Sequence, residues 1–171
     1  LIISEEEKPA ITRFIDQLDI DNQPPALTVI TIRRFFNQHF QYSLTQKEVK
    51  GEGTPLTKFL EQTRVGHCEY FATATVLLLR AAGIPARYAT GYLITEFSDL
   101  EKCYIARNRH AHAWALAYID STWVEVDNTP SSWVEGEQEE ASFIEPMVDW
   151  LSYAKFRFDN WRMENEDKNY Q

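Results

Sequence analysis

A chain of 171 residues, 44% hydrophobic and 25% charged with six glycines and seven prolines, has the make-up of an ordinary globular domain, which excludes the collagenous, low-complexity and disordered classes. At this length one domain buries roughly 70% of its unfolded surface, so a single core is expected over residues 1–171. A net charge of −9 disfavours nucleic acid as a partner, because a phosphate backbone would repel it; ten of the 26 acidic side chains fall in residues 131–171.

Two proline-led segments come first, Pro9 to Leu18 and Pro25 to Phe40, with the three-to-four apolar spacing of amphipathic helices (Leu27, Ile30, Phe35 and Phe36 in the second). A short extended piece, Tyr42 to Leu44, and a Gly51-Glu52-Gly53 turn precede Thr54-Pro55, a helix start that predicts helix to about Arg64. From Cys68 to Ala82 the chain is nearly continuously apolar or small, as in a helix buried on most sides, and Gly83 with Pro85 ends it. This is also the longest apolar run, and Thr73, Thr75 and Arg80 interrupt it well short of a membrane span.

Alternation then predicts strands at Ala86 to Ile94, Cys103 to Arg107, Ala111 to Ile119 and Trp123 to Asp127. Residues 131–140 form an acidic loop, and Phe143 to Met163 returns to helical spacing. The order gives an α+β class: a buried helix carrying Cys68 at its N-terminus, packed on an antiparallel sheet, with helical extensions at both ends. The chain begins at Leu1 with no leader pattern, so a longer parent chain is expected.

Cys68 stands in the first turn of the buried helix, where unpaired N–H groups and the helix dipole favour a thiolate. A two-residue turn at Asp120-Ser121 or Ile119-Asp120 pairs even positions of one strand with odd positions of the next, placing His112 and Asp127 on one face. An imidazole can then reach the thiol while a carboxylate orients its other nitrogen. Taken singly, each residue has a structural reading: Cys68 as a small hydrophobe, His112 half-buried by Trp114 and Leu116, Asp127 in an Asx turn. His110, the rival base, is expected near the rim.

The blocks Gly66-His67-Cys68-Glu69-Tyr70-Phe71-Ala72, Leu79 to Arg87 with Gly91-Tyr92, Ala111-His112-Ala113-Trp114 and Trp123 to Pro130 resemble the core of the transglutaminase-like superfamily. That resemblance implies a papain-like fold with Cys68 as nucleophile, His112 as general base and Asp127 as orienting acid. It divides the chain into a helical lead-in (1–50), a catalytic core (51–130), and an acidic loop with C-terminal helices (131–171). The lead-in around Phe40 to Leu44 and the tail Asp149 to Trp161 resemble bacterial members embedded in membrane proteins. This implies a location outside the cytoplasm, a cytoplasmic one being the alternative, with membrane contact only through flanking segments.

Two departures from the family pattern stand out. Ala115-Leu116-Ala117 replaces a stretch that often carries an acid after Ala-Trp, and Asp127-Asn128-Thr129 replaces Asp-Pro-Thr.

The function implied is acyl transfer from amide bonds of a protein or peptide substrate through a Cys68 thioester, resolved by water or by an amine. No amine-directing feature is recognisable, which favours water; a catalytically silent binding module is the alternative. The Cys68 N–H can supply one oxyanion donor, and Tyr42, His67 and Trp114 are further oxyanion or cleft candidates, Tyr42 being equally readable as a core tyrosine. No cofactor is implied. A zinc site from His67, Cys68, Cys103, His110 and His112 lacks the short ligand spacings such sites use, so no metal is expected. Cys103 reads as a packing residue, and Arg80 and Arg87 as partners of surface carboxylates.

Overall fold

Prolines set the first two helices of the computed structural model, which describes residues 3–45, 51–98 and 102–130. Pro9 lies in the first turn of α1 (Lys8–Leu18), and Pro25 opens α2 (Pro25–His39). The buried stripe of α2 runs through Thr28, Ile32, Phe35 and Phe36, while Leu27 and Ile30 face outward. The three large side chains Ile32, Phe35 and Phe36 fix that rotation, and the stripe they share with Thr28 lies one residue off Leu27.

After β1 (Gln41–Tyr42), Thr54 caps α3 (Pro55–Lys58), its hydroxyl accepting from the Thr57 N–H at 3.2 Å. The expected helix to Arg64 changes winding partway, into a π-helical turn over Phe59–Thr63 that closes with Arg64 in the left-handed region. β2 (Val65–Gly66) then pairs in parallel with β1, setting Tyr42 beside Gly66. A side chain at Gly66 would meet the Phe59 ring at 2.9 Å and the Tyr70 Cβ at 3.2 Å, so this close approach demands glycine.

α4 (Cys68–Ala81) is the central element. Phe71, Ala74, Thr75, Leu78 and Leu79 are all fully buried. Phe36, Phe40, Phe59 and Phe71 form an aromatic cluster with centroids 4.9–6.5 Å apart, seating α4 on the helical lead-in. α4 also packs on an antiparallel sheet of order β3-β6-β7, made of β3 (Ala86–Tyr92), β6 (Ala111–Ile119) and β7 (Thr122–Val126). Ala113, Ala115, Ala117 and Val126 are buried in this sheet. Alanines at 115 and 117, the positions of the first departure, thus belong to the core. The result is the α+β architecture expected.

The chain separates into two compact units, Leu1–Ile94 with Ala106–Trp133, and Thr95–Ile105 with Val134–Gln171. Of the second, the described part is a hairpin of β4 (Glu96–Ser98) and β5 (Cys103–Ile105), antiparallel, with Phe97 and Tyr104 in edge contact. β4 has no counterpart in the expected strands. The acidic loop and the C-terminal helices lie outside the described residues.

Three further expectations change. His110 is buried at 3% exposure, not at the rim, because a 3₁₀ turn over Asn108–His110 turns it inward before β6 begins. Cys103 is exposed, since its short hairpin offers little to cover it. Among the described contacts, Arg80 donates to the Ala86 carbonyl at 3.0 Å and Arg87 lies over the Trp123 ring at 4.3 Å, so a backbone oxygen and an indole take the places expected of carboxylates. No helix among the described residues is long and apolar enough to cross a membrane.

Candidate active site

The turn at Asp120-Ser121 gives β6 and β7 a register in which Leu116 opposes Glu125 and Ile119 opposes Thr122, so even positions pair with odd. His112 and Asp127 therefore share a face, and His112 Nε2 meets Asp127 Oδ2 at 2.7 Å. The other carboxylate oxygen, Oδ1, accepts the Thr129 N–H at 2.9 Å, so the Asx turn and the histidine contact coexist on one side chain. With Nε2 committed to Asp127, Nδ1 is the ring nitrogen left to serve the Cys68 side of the site.

Cys68 occupies the first position of α4, half-buried, with His67 as the N-cap in extended conformation. His112 and His67 are the imidazoles that can hydrogen-bond its thiolate. Burial pushes the thiol up, but those two hydrogen bonds, the Ala113 N–H and the His112 charge outweigh it and bring the pKa down to about 6. For His112, burial works downward, whereas the hydrogen bonds to Asp127 and Cys68 and their charges raise it to about 9. Burial likewise pushes Asp127 up, but the His112 contact and the Thr129 N–H reverse this and hold its carboxyl below the usual carboxylate range. Between these two values the pair is a thiolate and an imidazolium, the state a cysteine nucleophile needs.

His67 is raised by its hydrogen bond to Cys68, partly opposed by burial, and Glu69 adds to the rise. Its ring meets Tyr70 edge-on at 4.9 Å, and its Nδ1 lies 3.9 Å from Glu69 Oε2. Trp114 stacks on the His112 ring, centroids 6.1 Å apart and planes 17° apart. A Cβ at Gly91, which opposes His112 across the sheet, would lie 2.9 Å from the Trp114 ring, so glycine lets the indole lie against the base. Tyr42 is partly buried in β1, beside Gly66, which stands two residues before the nucleophile.

A cavity of about 320 Å³ opens beside the thiol, lined by Cys68, Glu69, Thr90, Gly91 and His112 among others. A second, of about 270 Å³, adjoins the same helix start on the side of α3, lined by Glu7, Thr54, Leu56, His67, Glu69 and Thr73 among others. The sequence reading had not singled out Glu69, which borders both, or the Asn128–Thr75 pair. Asn128 Nδ2 donates to Thr75 Oγ1 at 3.0 Å, tying the segment after β7 to α4. A threonine inside an apolar helix was the available signal, since a buried hydroxyl needs a partner. Among the described residues no group of three or more His, Cys, Asp or Glu is placed to hold a metal.

The Transglutaminase-like superfamily model matches residues 13–128, over half the sequence, and the chain belongs to that family. It is 35% identical over 108 residues to a protein-glutamine gamma-glutamyltransferase of Pseudomonas aeruginosa, covering 63% of this chain and 16% of that one. It is also 35% identical over 85 residues to the uncharacterized protein YebA of Bacillus subtilis, covering 47% and 12%. Among solved structures, the periplasmic domain of TgpA from Pseudomonas aeruginosa superposes with a TM-score of 0.66 at 28% identity over 81% of this chain and 46% of that one. The same domain bound to ethylmercury gives 0.64 at 30% identity over 80% and 49%. The chain thus spans under a fifth of these curated relatives and about half of the solved domain.

Proposed function

We propose that this chain is a cysteine-dependent acyltransferase domain acting on the glutamine carboxamide of a protein or peptide, with Cys68 as nucleophile, His112 as acid and base, and Asp127 as the group that orients the imidazole. The observation that carries the reading is the convergence of the three: His112 held by Asp127 at 2.7 Å, and His112 and Cys68 lining one cavity. The thiolate sulfur attacks the carboxamide carbon, the His112 imidazolium gives its proton to the departing ammonia, and a thioester remains. An amine then attacks the thioester carbon; a C–N bond forms, the C–S bond breaks with its electron pair returning to sulfur, and the amine proton passes to His112. The glutamyltransferase relative supports an amine over water as the second substrate. Likeness to a periplasmic domain supports a location outside the cytoplasm.

Incubation with a glutamine peptide and a labelled primary amine tests this. The wild type should incorporate the amine and Cys68→Ala should not. Release of glutamate peptide without amine incorporation would instead identify an amidase, and equal activity of the Cys68→Ala protein would remove Cys68 from the chemistry.

A further inference from the structure

β3 is an edge strand: the sheet order is β3-β6-β7, and among the described residues no strand pairs with its outer side. The phase of its ladder is fixed at both ends, where the Tyr118 N–H donates to the Pro85 carbonyl at 2.8 Å and the Leu93 N–H donates to the His110 carbonyl at 2.9 Å. Odd residues of β3 therefore turn their N–H and C=O groups toward β6, and Ala86, Tyr88, Thr90 and Tyr92 turn theirs outward. The Ala86 carbonyl already accepts from Arg80 Nε at 3.0 Å, which closes the edge at its start. From Tyr88 to Tyr92 the edge is open. The register runs there without a bulge, no proline or charged side chain interrupts it, and Tyr88, Thr90 and Tyr92 are exposed.

We propose that this edge receives the acyl donor as an added antiparallel strand, an extended peptide segment whose glutamine lies opposite Thr90 and presents its side chain to Cys68. This rests on the acyl-transfer reading above and gives it a substrate class: glutamine in a segment free to become a strand, as opposed to glutamine in a helix or in a strand already paired on both sides.

Thr90 opposes Ala113 and Tyr88 opposes Ala115, both alanines being buried on the face that packs on α4, so the side chains at 88, 90 and 92 share the face of the nucleophile. The cavity beside the thiol is lined by Thr90, Gly91 and Tyr92 together with Cys68 and His112, which makes it continuous with the open stretch of the edge. In an antiparallel addition the residue opposite Thr90 exchanges both its N–H and its C=O with Thr90 and puts its side chain on that same face. The residues two places to either side pair likewise with Tyr88 and Tyr92, whose side chains are 43% and 53% exposed. The residues immediately next to the glutamine turn their N–H groups away from β3. Main-chain pairing thus supplies affinity and fixes which residue stands at the cavity, and the reach of the glutamine side chain supplies the choice of carboxamide.

A scan of single backbone N-methyl groups along a glutamine peptide reads this pairing. Methylation at the glutamine, or two residues to either side, should lower kcat/KM about tenfold, the loss of one backbone hydrogen bond, and methylation one residue to either side should leave it near the parent value. Thr90→Pro acts from the protein side, removing an N–H that points away from β6, so that the sheet keeps its ladder. In that variant the peptide should lose about tenfold in kcat/KM relative to N-acetyl-glutamine amide, which is too short to add as a strand. Equal effects at all positions, none at any, or the opposite phase would overturn the assignment.

Binding to the Cys68→Ala protein gives a readout without turnover: the parent peptide should bind, and the N-methyl series should show the same alternation in Kd. If the wild type turns over N-acetyl-glutamine amide while peptide binding shows no alternation, the strand assignment fails and acyl transfer stands. If no donor is turned over while the alternation persists, acyl transfer fails and the strand assignment stands. A protein that elutes as a dimer, dissociated by Thr90→Pro and indifferent to the peptide, would show that the edge serves a second copy of this chain and would overturn the assignment.

Discussion

At its C-terminal end α4 is closed: Leu78 and Leu79 have no exposure, and Ile84 and Ala86 are buried beyond the corner that follows. At its N-terminal end the same helix is open, with Cys68 half-buried and a cavity of about 320 Å³ reaching it and His112. The difference teaches how one helix serves two demands. Packing on β3 and β6, and on the aromatic cluster through Phe71, fixes α4, and that fixed frame lets the open end hold a charged constellation. Substitutions at the two ends should therefore separate chemistry from stability.

The largest effect is expected at the open end. His112→Ala should lower amine incorporation by roughly 10² to 10⁴, the range for a general acid and base. The pH dependence sharpens this. Thiolate formation requires pH above about 6 and a protonated His112 requires pH below about 9, so wild-type turnover should be bell-shaped with limbs near those values. In His112→Ala, iodoacetamide labelling of Cys68 should lose its low-pH limb, the midpoint rising toward the ordinary thiol value near ~8.5. An unshifted labelling midpoint would mean that His112 is not what holds the thiolate.

At the closed end, Leu78→Ala should cost about 2 to 5 kcal/mol, read as a lower urea midpoint, because a fully buried leucine leaves a cavity that its neighbours fill only in part. Cys68 should still label at low pH in whatever fraction stays folded. Loss of that reactivity together with stability would show that the two ends of α4 are not separable.

The contrast also explains what the sequence disclosed. The closed end and the sheet were legible because apolar runs, Gly83-Pro85 and strand alternation express burial directly, and β6 runs Ala111–Ile119 as expected. The pairing of His112 with Asp127 was legible because a two-residue turn fixes strand parity. Less local features were not. The outward rotation of Leu27 and Ile30 depends on which stripe of α2 meets the aromatic cluster, and the inward turn of His110 depends on three residues of 3₁₀ winding that carry no apolar period. The cavity beside His67 comes from α3 and the residue before α1 meeting the start of α4, a tertiary fact without a linear pattern.

The smallest effect joins the two ends. Asn128 follows Asp127 directly and donates to Thr75, one turn short of Leu78 and Leu79, so the segment that aims the carboxylate is pinned to the middle of the helix whose first residue is the nucleophile. Asn128 departs from the family pattern noted in the sequence, and its side-chain hydrogen bond ties this segment to α4. Thr75→Val should leave the Asn128 amide buried without its acceptor and cost about 1 to 3 kcal/mol in urea unfolding, with Thr75→Ser close to wild type. If the pin aims Asp127, Thr75→Val should also lower the His112 titration midpoint, followed by imidazole NMR, because an imidazolium that loses its best-placed carboxylate is less favoured. A loss of stability with that midpoint unmoved would make the Asn128 contact a fastener of the core, with Asp127 placed by its own Asx turn to Thr129 alone.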